Sequence, residues 1–112
     1  MMIKTKYDIG HNFIVPRCHK IYEVEELHFE GETWERKVDM FNPITKIKEI
    51  VGINIGVYKD NVRITYKVVN EGNYSEFPSH YEESAITDYT EEKALTIAKY
   101  YAEKGEEYYG NR

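Results

Sequence analysis

The side chains with the clearest chemical potential are a single cysteine and four histidines. Cys18 directly precedes His19, and a thiol beside an imidazole is typical of nucleophilic catalysis or, with more such groups, of zinc binding. His11, His28 and His80 lie elsewhere in the chain without the paired spacing that zinc sites show. Neighbouring residues of an extended segment also point to opposite faces. We therefore expect no metal, no cofactor and no nucleophilic centre, and a structural role for Cys18.

Two pairs of adjacent acids are the remaining candidates for acid–base chemistry. Glu25-Glu26 and Glu82-Glu83 are such pairs, and only the second lies near a predicted loop and strand. The sequence has no phosphate-binding glycine loop, no nucleophile elbow and no His-Glu-x-x-His motif. We therefore predict no catalytic residues and a protein that is not an enzyme.

Length and charge exclude several further classes of protein. The 112 residues fit one domain, residues 1–112, and the net charge of -5 argues against a general duplex nucleic-acid binder. One cysteine excludes an intramolecular disulfide framework and favours a reducing, cytoplasmic location. No apolar leader and no 18-residue apolar run is visible, so we expect neither a signal peptide nor a membrane span.

A hairpin in residues 48–69 is the clearest predicted element. Apolar and polar residues alternate on both sides of Asp60-Asn61, which suits a two-residue turn. With that turn, each residue before it pairs with the residue after it for which the two numbers sum to 121. Apolar side chains then face apolar side chains, and Ile55 lies at the centre of the sheet. The predicted pairs are Val57 with Ile64, Ile55 with Tyr66, and Ile53 with Val68.

The opposite face of this hairpin is polar and contains two glycines. Flanking cations and a tyrosine suit a phosphate-bearing ligand or an acidic partner. The glycines are better explained by a strand that must bend. The candidate ligand-binding residues are Gly52, Asn54, Gly56, Tyr58, Arg63, Thr65 and Lys67.

Periodic apolar residues predict a C-terminal helix over about 91–107. Thr90 caps it, or Asp88 forms a capping box with Glu91, and Gly105 or Gly110 ends it. The other predicted strands lie within residues 7–70, including two around Gly31, and near 84–87, while residues 71–81 are expected to be a loop. The alternation slips near residues 25–26, which indicates either a bulge or an incorrect strand assignment there. The expected fold class is α+β, an antiparallel, strongly bent sheet forming a small SH3-like barrel with one C-terminal helix.

Several short segments resemble small bacteriophage and prophage proteins that have an SH3-like barrel. The similar segments are 6–10, 13–16, 46–53, 64–68 and the Thr-Glu-Glu-Lys-Ala that begins at Thr90. The acidic stretch from Glu23 to Asp39 departs from that pattern. The resemblance implies a binding role, since some such proteins inhibit a CRISPR nuclease and others sequester a nucleotide signal.

The acidic stretch suggests how an inhibitor of this kind acts. Acidic surface can occupy the basic groove of a nucleic-acid enzyme, and an aromatic ringed by charge is a common interface anchor. The first hypothesis is therefore a non-enzymatic, phage-type inhibitor of a host protein, plausibly a defence nuclease, while Trp34 remains open as a core residue. The candidate partner-binding residues are Glu25, Glu26, Glu30, Trp34 and Glu35.

The alternative hypothesis is a sponge for a cyclic-nucleotide or NAD-derived immune signal. It uses the polar hairpin face and a pocket at an oligomer interface, where small domains form deep sites most easily. Tyr101 is expected in the core. Tyr100, Tyr108 and Tyr109 form either a homodimer or partner contact or a partly buried rim.

Overall fold

The computed structural model describes residues 3–110. In this part of the chain, four strands form a single antiparallel sheet, and one α-helix packs against the sheet. The expected α+β class is confirmed, and residues 1, 2, 111 and 112 of the expected domain lie outside the described part. The strand order is β1-β2-β3-β4, with β1 and β4 at the edges of an open sheet, so a closed barrel is not observed. The elements are β1 (Asn12–Phe29), β2 (Glu32–Tyr58), β3 (Asn61–Asn70), β4 (Ser79–Glu82), a 3-10 turn (Glu83–Ala85) and α1 (Glu91–Lys104).

Strands β1 and β2 form one long hairpin. Pairing runs without a register shift from Asn12 opposite Glu49 to Phe29 opposite Glu32. A bulge near residues 25–26, one of the two expected alternatives, is therefore wrong. The turn between the strands is Glu30-Gly31, and both residues have positive φ, 50° and 80°, as a type I′ turn requires. The two strands predicted around Gly31 are thus confirmed, and both extend further than expected.

The far end of this hairpin projects from the rest of the molecule, and we call residues 21–40 the arm. The chain measures 78 × 28 × 27 Å, so the arm accounts for its elongated shape. Within the arm only Val38 is even partly buried. The remaining described residues form what we call the body.

The second hairpin, between β2 and β3, has the predicted faces but a different register. Its turn is Lys59-Asp60, with Lys59 at φ 51°, so the pairing sum is 119 and Ile55 faces Ile64. The predicted partners are therefore wrong by two residues, a shift that leaves every side chain on its expected face. Ile55 is also 47% exposed, which contradicts its expected place at the sheet centre.

A β-bulge interrupts β2 where it leaves β1 and continues along β3. Ile50 faces Val68 and Gly52 faces Lys67, so Val51 is the extra residue. This bulge keeps Ile50 and Ile53 on the same side of the sheet, which is the side of the core. The buried core cluster consists of Tyr7, Phe13, Val15, Ile50, Tyr66, Val68, Tyr81 and Ile86.

The helix matches its predicted start and ends three residues early. The Thr90 hydroxyl accepts a hydrogen bond from the Lys93 amide at 3.1 Å, and Gly105 ends the helix with φ 67°. Ala94 and Ala98 are fully buried where α1 packs on β1 and β2. No helix among residues 3–110 is both long and apolar enough to cross a bilayer.

One predicted strand is misplaced. Residues 84–87 do not form it, because Glu83–Ala85 is a 3-10 turn. The fourth strand is instead Ser79–Glu82, at the end of the segment expected as a loop. Its Tyr81 faces Tyr66 of β3 and brings a second aromatic ring into the core.

Two isoleucines of β2 give a direct test of where the core ends. Replacing Ile50, which is 0% exposed, with Ala should lower the free energy of unfolding by about 2–5 kcal/mol. Ile55→Ala, at 47% exposure, is the matched control and should cost less than about 1 kcal/mol. Urea unfolding followed by circular dichroism measures both, and equal losses would contradict this boundary of the core.

Candidate functional site

The cysteine and the histidines are spread over the molecule. Cys18 is fully buried, and burial raises the pKa of its thiol, with the Glu107 carboxylate adding to the shift. The His11 ring lies 2.9 Å from an Asp88 oxygen at the body surface, whereas His28 lies near the tip of the arm. Residues 3–110 contain no group of three or more His, Cys, Asp or Glu side chains placed to hold a metal ion.

The acidic pair at residues 82–83 has structural partners. Glu82 accepts a 2.6 Å hydrogen bond from Arg63, and Glu83 accepts a 2.5 Å bond from the Tyr66 hydroxyl. Burial, followed by this bond to Glu83, raises the pKa of Tyr66. The two carboxylates thus act in different places, one at the sheet surface and one over the core, and they do not form a joint acid–base site.

The polar face of the β2–β3 hairpin is assembled as the sequence predicts. Gly52 faces Lys67, Asn54 faces Thr65 and Gly56 faces Arg63, so the candidate ligand-binding residues share one surface. The neighbours differ from the predicted ones because of the two-residue shift. Tyr58 lies beyond them at the strand end and is 68% exposed.

Five of these residues, but not Gly52 or Lys67, line an open depression of about 490 Å³, which we call the hairpin cavity. His80 of β4 belongs to it, because β4 places His80 opposite Lys67. His80 was not predicted at this face, because residues 71–81 were expected to form a loop. The lining residues are Asn54, Ile55, Gly56, Tyr58, Arg63, Thr65 and His80.

Both glycines of this face have a local packing reason. A Cβ on Gly56 would lie 2.9 Å from the Tyr58 ring, and one on Gly52 would lie 3.1 Å from Cδ of Lys67. The glycines therefore let Tyr58 and Lys67 lie flat against the strand. Gly52 also follows the bulge, so bending and close packing coincide at this position.

The arm has two chemically different faces, because directly paired residues of an antiparallel hairpin point to the same side. Most apolar side chains share one side, which we call the apolar face, and the other side is the polar face. The apolar face contains Ile21, Leu27, Phe29, Trp34, Val38 and Met40 with Glu23, Glu25, Glu32 and Arg36. The polar face contains Tyr22, Val24, Glu26, His28, Thr33, Glu35, Lys37 and Asp39.

The predicted partner-binding residues are therefore divided between the two faces. Glu25 and Trp34 lie on the apolar face, Glu26 and Glu35 lie on the polar face, and Glu30 is in the turn. Trp34 is 57% exposed opposite Leu27, so its alternative assignment to the core is wrong. Glu25 is held by Arg36 at 2.6 Å.

Two carboxylates of the polar face oppose one another. Glu26 and Glu35 are direct cross-strand partners, an arrangement that is destabilising unless a cation or partner relieves it. The Nε2 atom of His28 lies 3.8 Å from a Glu26 oxygen and offsets its charge only when the imidazole is protonated. A basic partner placed over this pair would relieve the repulsion between the two carboxylates.

The net charge of the chain resides on the arm. The arm has seven acidic residues against Arg36 and Lys37, a charge of -5. The whole chain is also -5, so the remaining residues sum to zero. The arm is thus an acidic rod, and the rest of the sequence is electrically balanced.

The C-terminal tyrosines fasten the chain to β1. The Tyr108 backbone exchanges two hydrogen bonds with Cys18, at 2.8 and 3.0 Å, and its ring stacks on half-buried Tyr101 at 4.2 Å. Tyr109 packs beside His19, at 5.2 Å between ring centroids. The partly buried arrangement therefore applies to Tyr108 and Tyr109, whereas Tyr100 is 51% exposed.

Comparison with known protein families, characterised proteins and solved structures finds no match to this chain. The candidate sites therefore rest on the geometry of the hairpin cavity and the arm. The resemblance to phage SH3-like proteins stays a prediction.

The burial of Cys18 predicts an unreactive thiol. Native protein at pH 8 should react with Ellman's reagent far more slowly than protein unfolded in urea, because the thiol is inaccessible and its pKa is raised. Absorbance of the released thiolate follows both reactions. Full labelling of the native protein within the mixing time would show that Cys18 is accessible.

Proposed function

We propose that this protein is a non-enzymatic inhibitor that binds a host protein through the polar face and tip of its arm. The single observation that carries the proposal is the concentration of the whole net charge on an exposed, projecting hairpin. The body contains the hydrophobic core, and the arm extends from it toward a partner.

The charge of the arm defines the chemistry of the partner. The arm has a net charge of -5, so it attracts a basic groove on a partner. The attraction is strongest at Glu26 and Glu35, where a cation also relieves the repulsion between the two carboxylates. A two-stranded ribbon has only two strands, about 4.8 Å apart, so it fits into a cleft as well as onto a flat surface. Basic clefts are typical of enzymes that process nucleic acids.

The proposed class of target is therefore a nucleic-acid-processing defence enzyme of the CRISPR-nuclease type. Support for a phage-type origin comes from the resemblance of the short sequence segments alone. Within this proposal the arm occupies the nucleic-acid groove and excludes the substrate, so inhibition needs no catalytic residue.

Charge reversal tests this use of the arm. Replacing Glu26, Glu30 and Glu35 with Lys should abolish inhibition of DNA cleavage by a guided nuclease, tested over a panel of purified nucleases with their guides. The control replaces Glu71, Glu103 and Glu106, exposed acids outside the arm, and makes the same change in net charge. The control variant should still inhibit.

Circular dichroism establishes that both variants are folded. Equal inhibition by the two variants would contradict the role of the arm. No inhibition of any nuclease in the panel by the wild-type chain would contradict the proposed class of target.

The hairpin cavity favours a second candidate function, sequestration of a phosphate-bearing signal such as a cyclic nucleotide or an NAD-derived molecule. Its support is the convergence of Arg63, Tyr58 and His80 around one depression, with Lys67 beside it. Arg63 is already paired with Glu82 at 2.6 Å, so an anionic ligand must compete with this carboxylate.

Calorimetry with cyclic nucleotides and cyclic ADP-ribose tests the second function. Arg63→Gln should weaken binding at least about 10-fold because it removes a charged hydrogen-bond donor, whereas Glu82→Gln should strengthen binding because it releases Arg63. Lys93→Gln, on the exposed side of α1, is the control. Absence of heat with every ligand would exclude the sponge.

A further inference from the structure

We propose that the apolar face of the arm binds a second copy of this chain. The two arms lie antiparallel, face to face, and cross at Leu27 and Trp34, with the bodies at opposite ends. This inference goes beyond the proposed inhibitor function, which uses the polar face and the turn.

The first support is the exposure of the apolar face. Phe29 is 68% exposed, Trp34 57% and Leu27 43%. An isolated two-stranded hairpin is marginally stable in water, and it needs further strands or a packed face to be ordered. Nothing in the described part of the body covers this face, so it is free to pack against another molecule, and such packing would stabilise the arm.

The second support is the pattern of charge around Trp34. Glu32 and Arg36 lie two residues before and after Trp34 on the same strand and the same face. In a two-fold dimer, if one residue of the first copy contacts a given residue of the second copy, the reciprocal contact also forms. An axis through Trp34 therefore places Arg36 of each copy over Glu32 of the other. Arg36 already pairs with Glu25 of its own arm at 2.6 Å, so each guanidinium would lie between two carboxylates.

The third support is the available area. Covered Trp and Phe side chains bury about 150–250 Å² each, so the exposed parts of Trp34 and Phe29 offer about 250 Å² per copy. With Leu27 and the aliphatic stems of Glu25, Glu32 and Arg36, two copies bury a total of about 1,000 Å², near the lower limit for a specific interface. We therefore expect a weak dimer, with a dissociation constant on the order of micromolar.

Such a dimer keeps the two polar faces on the outside. Glu26 and Glu35 of both copies then point away from the interface and remain accessible. Dimerisation and binding of a basic partner are thus compatible.

Sedimentation and fluorescence test the dimer without any partner, so the result is independent of the inhibitor function. Trp34 is the single tryptophan, and its emission should shift to shorter wavelength as protein concentration rises and the face is covered. Sedimentation velocity over the same concentrations should show a monomer–dimer equilibrium. Trp34→Ala should raise the dissociation constant at least about 30-fold. Phe77→Ala, at a body residue that is 98% exposed, is the control and should leave it unchanged.

Two charge variants test the proposed geometry. Arg36→Glu and Glu32→Arg each place like charges opposite one another in a dimer of identical chains, so each variant alone should be monomeric. Mixing the two should restore association, because the mixed dimer again pairs opposite charges at both contacts. Circular dichroism of each variant monitors the fold.

Three results would overturn the proposal. The first is a wild-type chain that stays monomeric at a concentration of about 100 μM, 100-fold above the expected dissociation constant. The second is a Trp34→Ala variant that dimerises as tightly as the wild type. The third is a mixture of the two charge variants that does not associate although each variant is folded.

Discussion

The hydrogen-bonded ladder between β1 and β2 runs without a break from Asn12–Glu49 to Phe29–Glu32, and the rest of the molecule is placed relative to it. Its inner half carries Phe13 and Val15 into the core and supports α1. Its outer half is the arm. Because one continuous ladder joins them, the orientation of the arm is tied to the body by backbone bonds rather than by a flexible linker.

The bulge at Val51 determines what each side of the second hairpin presents. Side chains alternate along a strand, so an uninterrupted β2 would continue from Ile50 to Gly52 and Asn54 on the core side. The one extra residue reverses this alternation. As a result Ile53 continues the core side and the polar residues face outward around the hairpin cavity.

Much of the local structure was predictable from the sequence because it depends on short-range patterns. The Thr90 cap, the turn containing Gly31 and the two faces of the β2–β3 hairpin all follow from neighbouring residues. The register of that hairpin was not predictable in this way, since Lys59 adopts positive φ although Asp60-Asn61 has the more typical turn residues. Trp34 is exposed because the body does not extend along the β1–β2 ladder as far as Trp34. The sequence around Trp34 does not predict how far the body extends.

The candidate sites show the same difference between features that depend on neighbouring residues and features that depend on distant ones. The hairpin-face residues were found because alternation alone brings them together, whereas His80 was missed because only the pairing of β3 with β4 adds it. The acidic residues of the arm were recognised from composition, but their division into two faces required the β1–β2 register.

The pairing of Tyr108 with Cys18 has a consequence for synthesis of the chain. These residues are 90 positions apart, yet their backbone bonds occupy the outer edge of β1. During translation that edge stays open until residue 108 has left the ribosome, long after β1 and β2 can pair. Until then, this part of the β1 edge is available for pairing with other chains.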